Sequence, residues 1–198
     1  TILTRRTGLN ARTALGLAAM ILFFLVSGTI TYRNVGALVD DANRIQHSHT
    51  IVRAIDDVLS TMQDAETGQR GYLLTGNDRY LDPYRDAERN IAAQVDHIAS
   101  LTAGNVVETA RLASLRRHIR EKFAELGETI AMRRAQGVGA AVALVNSDRG
   151  KAEMDAIREQ LALMLQEETR LRREGIAAMD VARGTAGAGD RRGHVIGV

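Results

Sequence analysis

The feature that most constrains this chain is a run of twenty consecutive residues without a charge, from Thr13 to Tyr32. At about 1.5 Å of rise per helical residue, a run of this length covers the roughly 30 Å of a bilayer's hydrocarbon core. The sequence therefore predicts a transmembrane helix over residues 13–32, with the lipid bilayer as a partner.

The charges that flank this run predict its orientation. Arg5, Arg6 and Arg12 precede it, whereas Arg33 is the one basic residue that follows it closely. Under the positive-inside rule, residues 1–12 then lie in the cytoplasm and the remainder of the chain lies outside the inner membrane. The expected localisation is a single-pass protein of the plasma membrane with a periplasmic domain.

A cleaved signal peptide is the alternative reading of the same run. Val26 and Gly28 could flank a cleavage point as small residues. The uncharged stretch nevertheless continues to Tyr32, an aromatic residue suited to the membrane interface, and helical periodicity resumes directly after it. An uncleaved anchor is therefore favoured.

Composition excludes several classes of function. The chain has no cysteine, which removes disulfides and thiolate metal ligands, and only seven aromatic residues, which disfavours stacking on single-stranded nucleic acid. Basic residues concentrate at the two ends, so that the central region is mildly acidic. Nucleic-acid binding is not expected of such a body.

Beyond the apolar run, hydrophobic residues recur at steps of three and four from Val35 to Met62, as on one face of a helix. The same steps pass through His49 and continue to Glu66, so that polar groups are expected at core-facing positions. The helix is predicted to end before Gly76, which can adopt the left-handed conformation of a helix C-terminus.

Two further helix starts can be read from capping signals. Asp82 followed by Pro83 predicts an N-cap and a first helical residue, although the chain could already be helical from Arg79. Asn105 and Glu108 form a variant of the capping box, which predicts the start of the next helix.

The last helix is predicted to follow a turn at residues 146–150 and to end near Met179, with a short apolar piece at 140–145 before the turn. No stretch shows a strand pattern. The predicted fold is all-α, with the transmembrane helix continuing into an antiparallel up-down-up-down four-helix bundle over residues 33–180. The Gly-rich, charged residues 181–198 are expected to be a disordered tail.

Two segments carry a resemblance to a known family. Residues 64–84, DAETGQRGYLLTGNDRYLDPY, resemble the signature of the type-three CHASE domain, an extracytoplasmic sensory module of histidine kinases and nucleotide cyclases. Residues 150–173 are similar to the last helix of that family. The resemblance implies a four-helix sensory domain between two membrane spans that passes a helix displacement to a cytoplasmic output domain. The motif residues are Glu66, Gly68, Arg70, Gly71, Gly76, Pro83, Tyr84 and Glu168.

The chain departs from the family plan after Asp180, where the sequence contains no second apolar run and no output module. We therefore expect a signal-input domain that is truncated before its second span, works as a homodimer and depends on a membrane signalling partner. The alternative is a single-pass structural or adaptor protein that binds a periplasmic partner. Because no catalytic motif occurs, neither an enzyme nor a cofactor is predicted in this chain.

Glu66 and Arg70 lie four residues apart on one predicted helix, in the order that favours an ion pair. A structural role for this pair near the turn is favoured over a ligand pocket. Gly68 and Gly71 weaken the helix, and close approach of the second helix or of the turn would explain them; a small ligand cleft is the alternative.

The remaining polar candidates are Glu168 and the histidines. Counting along the helices places Glu168 level with Arg53, so the two could form a buried polar contact that fixes the register; an exposed charge on a bent helix is the alternative, and catalysis is not favoured. His97 and His118 fall at similar heights, but two histidines without a carboxylate partner do not predict a metal site. His49 is expected to be a satisfied core histidine or a mild pH sensor.

Overall fold

The computed structural model describes the backbone of residues 11–190, together with the side chains of residues 12–33, 35–36 and 42–178. Within that part of the chain every element is helical and no strand occurs, which confirms the all-α prediction. The elements are α1 (Ala11–Thr75), a 3-10 turn (Asp78–Leu81), α2 (Asp82–Leu101), α3 (Val106–Gln136), α4 (Val138–Val145) and α5 (Arg149–Asp190).

The chain divides into two compact units, residues 1–46 and 47–198. In the first unit, the segment Arg12–Arg33 of α1 is long and apolar enough to cross a membrane, and none of it is buried against protein. Phe23, for example, leaves 67% of its surface exposed. By length and composition this segment agrees with the predicted membrane-spanning helix, and a signal sequence would meet the same criteria.

The second unit is an antiparallel four-helix bundle formed by the later part of α1, α2, α3 and α5, with the short α4 packed on α3. Burial of apolar side chains at steps of three and four stabilises all four helices. The main core cluster contains Ile51, Ala54, Ile55, Val58, Met62, Ile91, Val95, Ile98, Leu112, Leu115, Ile119, Met154, Ile157, Leu161 and Met164. A smaller cluster of Tyr72, Leu73, Leu81, Ile130 and Ala141 caps one end of the bundle.

The buried face of α1 coincides with the predicted face at Ile55, Met62 and Gln69, but at the steps between them it is shifted by one residue. His49 is exposed, whereas its neighbour Ser48 is buried, so the prediction of a core histidine is wrong. The core positions run in strict three-and-four steps through Ser48, Ile51, Ile55, Val58, Met62, Ala65, Gln69 and Tyr72. The apolar spacing predicted the wrong residues at these steps because Val52 and Leu59 are also apolar. Both lie at the edge of the core and are only partly buried.

The helix starts are only partly as predicted. Asp82 is already helical, and its carboxylate accepts from Arg85 Nη1 at 3.0 Å instead of capping the helix, because the preceding 3-10 turn holds the chain in a helical conformation. Asn105 does cap α3, since its Oδ1 accepts from the backbone N–H groups of Val107 at 3.0 Å and Glu108 at 3.3 Å. The second hydrogen bond of a capping box, from the Asn105 N–H to the Glu108 side chain, is not formed, because the Glu108 carboxylate binds Arg111.

The fourth helix of the bundle extends further than predicted. Helix α5 continues through Asp190, about three turns past Met179, although the glycines of this stretch disfavour a helix. Helical backbone thus covers 181–190 of the predicted disordered tail. Residues 191–198 lie outside the described part of the chain, as do residues 1–10 of the predicted cytoplasmic segment.

Candidate functional site

The CHASE-like signature folds into the end of the bundle where α1 meets α2. Gly68 and Gly71 leave room there for the 3-10 turn: a Cβ on Gly68 would lie 2.7 Å from the Tyr80 carbonyl oxygen and 3.4 Å from Pro83 Cβ. A Cβ on Gly71 would lie 2.7 Å from the Tyr80 ring. The two glycines therefore permit close packing of α1 against the turn, as the sequence predicted for them.

Gly76 ends α1 as expected. Its φ of +69° is in the left-handed region that glycine adopts without strain, and its N–H donates to the Tyr72 carbonyl at 2.8 Å. Arg133 of α3 donates from Nε to the Leu73 carbonyl at 2.9 Å, which satisfies one of the free carbonyls at this helix end. Arg134 binds Asp78 of the turn at 3.1 Å. Side chains of α3 thus fix the α1–α2 connection.

Tyr84 connects the turn to α3. Its ring lies against Phe123, with a centroid distance of 5.7 Å, and its hydroxyl donates to Glu88 Oε1 at 3.4 Å. Burial, followed by the charge of Glu88, raises the pKa of the Tyr84 phenol. The hydroxyl is therefore protonated at neutral pH and acts as a donor.

Directly beneath this turn, the core contains a layer of polar side chains. We define the polar layer as Glu66 and Gln69 of α1 with Lys122, Glu125 and Thr129 of α3; it lies along both helices between the main and capping apolar clusters. The Lys122 ammonium is 3.0 Å from Glu125 Oε2 and 3.4 Å from Glu66 Oε1. Its side chain is only 3% exposed, so these carboxylates replace its hydration.

The layer is closed by two further contacts. Thr129 Oγ1 donates to Glu125 Oε1 at 3.0 Å, or alternatively to the Glu125 carbonyl at 2.7 Å. Gly150, in the first turn of α5, lies so close to the Glu125 carboxylate that no Cβ could be added there without displacing it. The polar layer therefore contacts three helices: α1 through Glu66, α3 through its own residues, and α5 through Gly150.

The predicted pair of Glu66 and Arg70 is formed, with Arg70 Nη2 3.0 Å from Glu66 Oε1. Arg70 is 67% exposed, whereas Glu66 is 14% exposed. A pair that is open to water on the arginine side contributes little, while the buried Lys122 contact contributes more to holding the carboxylate. Arg70 thus supplies the second positive charge that balances Glu66 and Glu125.

Glu168 lies at the opposite end of the bundle, and no ion pair joins it to Arg53 among the residues with described side chains, so the predicted pairing is wrong. Its negative charge instead acts on Glu108 of α3, whose pKa it helps to raise. Residue counting gives the height of a side chain along the bundle but not the side of the helix on which it lies, and Arg53 lies on the exposed side of α1. Glu168 is half-buried, and its role stays a prediction.

Glu108 is the most unusual carboxylate at that end. It is almost fully buried, Oε1 accepts from Arg111 Nη1 at 2.6 Å, and Oε2 is buried without a hydrogen-bond partner. Burial raises the pKa of this carboxyl, the Arg111 guanidinium opposes the rise, and the charges of Glu167 and Glu168 add to it. Sequence reasoning missed this position because Glu108 was assigned to helix capping.

The histidines do not come together. His118 Nδ1 lies 2.7 Å from Glu153 Oε2 of α5, whereas His97 is exposed. Within the described residues, no group of three or more histidine, aspartate and glutamate side chains has the arrangement that could hold a metal ion. The His118–Glu153 contact is a link between α3 and α5.

Sequence reasoning also missed Lys122, Glu125 and Thr129. A signal for two of them was present, because Lys122 and Thr129 continue the three-and-four steps that run through Leu115, Ile119 and Leu126. Phe123 and Ile130 directly follow them in the sequence. Because these two residues are apolar, the apolar spacing assigned them to the buried face of α3 in place of Lys122 and Thr129. Glu125 carries no such signal, since its burial depends on the glycine of another helix.

Comparisons with known proteins agree with this geometry. The CHASE3 domain family matches residues 41–178, which is more than half of the chain. A crystal structure of the sensor domain of histidine kinase HK9 from Rhodopseudomonas palustris is similar, with a TM-score of 0.58 and 26% sequence identity over 62% of this chain and 96% of that domain. No curated protein is significantly similar to the chain. The helical bundle, its glycine-packed turn and the family match together show that this chain belongs to the CHASE3 family and contains a sensory domain of signalling proteins.

Proposed function

We propose that the chain is the membrane-anchored, extracytoplasmic signal-input part of a bacterial signal-transduction protein such as a sensor histidine kinase. The observation that carries the proposal is the order of the two units, because the CHASE3 match begins at residue 41, shortly after the apolar segment Arg12–Arg33. The similar crystal structure is itself the sensor domain of a histidine kinase, which supports the same assignment.

Membrane anchoring is supported by the exposure of the apolar segment. Leaving a helix of this hydropathy in water is unfavourable, at about 25 cal/mol for each Å² of apolar surface, and among the described residues none of this segment is buried against protein. The arginines that precede it favour a cytoplasmic N-terminus and an extracytoplasmic bundle.

The polar layer provides a means of transmission within the bundle. An axial displacement of α1 relative to α3 would separate Glu66 from Lys122, the ion pair of the polar layer that joins these two helices. Each charge would then keep only the partner on its own helix, Glu125 for Lys122 and Arg70 for Glu66. A helix pair of this kind has discrete arrangements in place of a continuous range, as is typical of sensory switches. We propose that a stimulus shifts α1 or α5 against α3, and that an output module in a homodimer responds to this shift.

Topology can be tested with reporter fusions to the chain. Alkaline phosphatase fused after Asp180 is expected to be active in intact cells, because it folds only outside the cytoplasm, while β-galactosidase at the same site is expected to be inactive. The matched control replaces Arg5, Arg6 and Arg12 by glutamate, which should weaken the orientation signal. An inactive phosphatase fusion alongside an active β-galactosidase fusion would overturn the proposed orientation.

Signal transmission needs a separate test. Residues 1–180 can be joined to the second membrane span and kinase module of a histidine kinase, and basal autophosphorylation measured with and without Lys122→Met. We expect this variant to change the phosphorylation level at least severalfold, while Lys151→Met on the exposed face of α5 leaves it unchanged. Equal levels in all three hybrids would favour an adaptor that binds a periplasmic partner without sensing.

A further inference from the structure

A groove of about 330 Å³ lies between α2 and α3. Its floor is apolar and consists chiefly of Ile91 and Val95 from α2 with Ile119 and Phe123 from α3. The volume is at the lower end of the range of about 300 to 1,000 Å³ that small-molecule sites occupy. The groove is large enough for a small ligand that consists of one apolar side chain and a polar group.

The rim of the groove carries charges of both signs. At one end, Arg116 of α3 and Asp96 of α2 form an ion pair at 2.6 Å, which neutralises both groups. Arg120 and Glu88 also line the groove, and neither takes part in any ion pair among the residues with described side chains. The groove therefore offers one cation and one anion without an ion-pair partner, and the Glu88 carboxylate accepts a hydrogen bond from the uncharged Tyr84 hydroxyl at 3.4 Å.

The register of the two antiparallel helices sets the spacing of these groups. Because Asp96 meets Arg116, Arg120 stands opposite Ala92, and Glu88 lies one turn further along α2. One turn of helix is about 5.4 Å, a distance that the flexible arginine and glutamate side chains can close on a small ligand. Both side chains are exposed, so little rearrangement is required.

From this arrangement we infer that the groove binds a zwitterionic α-amino acid with an apolar side chain. The carboxylate of the ligand pairs with the Arg120 guanidinium and its ammonium group pairs with Glu88, while the side chain lies on Ile91 and Phe123. Arginine suits the carboxylate because its planar fork can donate two parallel hydrogen bonds. The inference rests on the proposed function, since it supplies a ligand class for the sensory domain.

Binding can be measured by isothermal titration calorimetry on the full chain in lipid nanodiscs, with L-phenylalanine and L-leucine as probes. We expect saturable binding of at least one of them, and at least tenfold weaker binding of 3-phenylpropanoate and phenethylamine, each of which lacks one charge. Absence of saturable binding of both amino acids up to about 10 mM would overturn the inference. Equal affinity for the singly charged analogues would also overturn it.

Matched variants test the named residues. Arg120→Gln and Glu88→Gln are each expected to weaken binding at least tenfold, while Arg53→Gln and Glu159→Gln, at exposed positions that do not line the groove, leave it unchanged. Ala92→Phe fills the groove and is expected to abolish binding. Equal losses in the groove variants and the controls would contradict the site. Because no signalling is measured, failure here would leave the reporter and hybrid-kinase results intact.

Discussion

At the scale of single residues, Lys122 is the side chain whose environment most limits what can replace it. Lys122→Met leaves the Glu125 carboxylate buried without its cation and is expected to lower the free energy of unfolding by about 3–5 kcal/mol. Chemical unfolding followed by far-UV circular dichroism measures this change.

Two further variants make the Lys122 result interpretable. Lys151→Met, at a side chain that is 71% exposed, is expected to change stability by no more than about 0.5 kcal/mol. The double variant Lys122→Met/Glu125→Gln is expected to recover part of the loss, because it removes the stranded charge. If Lys122→Met were as stable as the Lys151→Met control, the ionic contact between Lys122 and Glu125 would not stabilise the polar layer.

Glu108 is the second residue with a specific expectation, and it concerns pH. Because burial raises the pKa of its carboxyl in the folded state, the folded protein holds this proton more tightly than the unfolded chain does. Its ionisation therefore lowers the free energy of unfolding as pH rises from the ordinary glutamate pKa through the raised one. Glu108→Gln is expected to remove this decline.

The measurement for Glu108 is a series of unfolding curves from acidic to neutral pH for wild type and variant. The difference between the two plots of unfolding free energy against pH gives the contribution of the Glu108 carboxyl alone. Glu159→Gln, a substitution at an exposed glutamate, is the control and should leave the pH dependence unchanged. A difference between wild type and Glu108→Gln that is constant with pH would contradict the assigned burial effect.

At the scale of elements, the α1–α2 connection depends on a glycine that helix propensity alone would disfavour. Gly68→Ala gains up to about 1 kcal/mol of helix propensity. Its Cβ would nevertheless lie 2.7 Å from the Tyr80 carbonyl oxygen, and a backbone group cannot move aside cheaply. We expect a net destabilisation of about 1–3 kcal/mol.

Gly127, in the interior of α3, is the matched control for Gly68. A Cβ there would meet only the Tyr84 hydroxyl at 3.5 Å, an ordinary contact, so Gly127→Ala is expected to stabilise the protein by up to about 1 kcal/mol. The melting temperatures of both variants, measured by thermal unfolding, test this packing argument. The packing argument fails if the two substitutions shift the melting temperature in the same direction.

Some features of the helices could be predicted from the sequence, and others could not. Helix existence and most ends followed from apolar spacing, Gly76 and Asn105, which act through local geometry. The exact buried face of α1 did not, because Val52 and Leu59 beside the true stripe are apolar as well. Burial of Glu125 and the surroundings of Glu168 depend on how the helices are aligned, and no local pattern encodes that alignment.

At the scale of the whole molecule, the proposed homodimer gives a direct prediction. The chain has no cysteine, so single-cysteine variants on the exposed face of α1, such as Arg53→Cys, Asp56→Cys, Asp57→Cys and Ser60→Cys, can form disulfides only between copies. In membranes we expect cross-linking at a subset of these positions, repeating every three to four residues. The exposed α5 variant Glu159→Cys is the comparison site. Uniform or absent cross-linking along α1 would contradict a dimer built on this helix.

The contact between Gly150 and the Glu125 carboxylate has a mechanical consequence for the whole bundle. Every residue one turn away along α5 bears a Cβ, so a slide of that length would push a side chain into the space the carboxylate fills. A slide of α5 by one turn therefore requires the Glu125 side chain to leave its present position next to Gly150. Axial movement of α5 is thus coupled to the conformation of one buried carboxylate on the neighbouring helix.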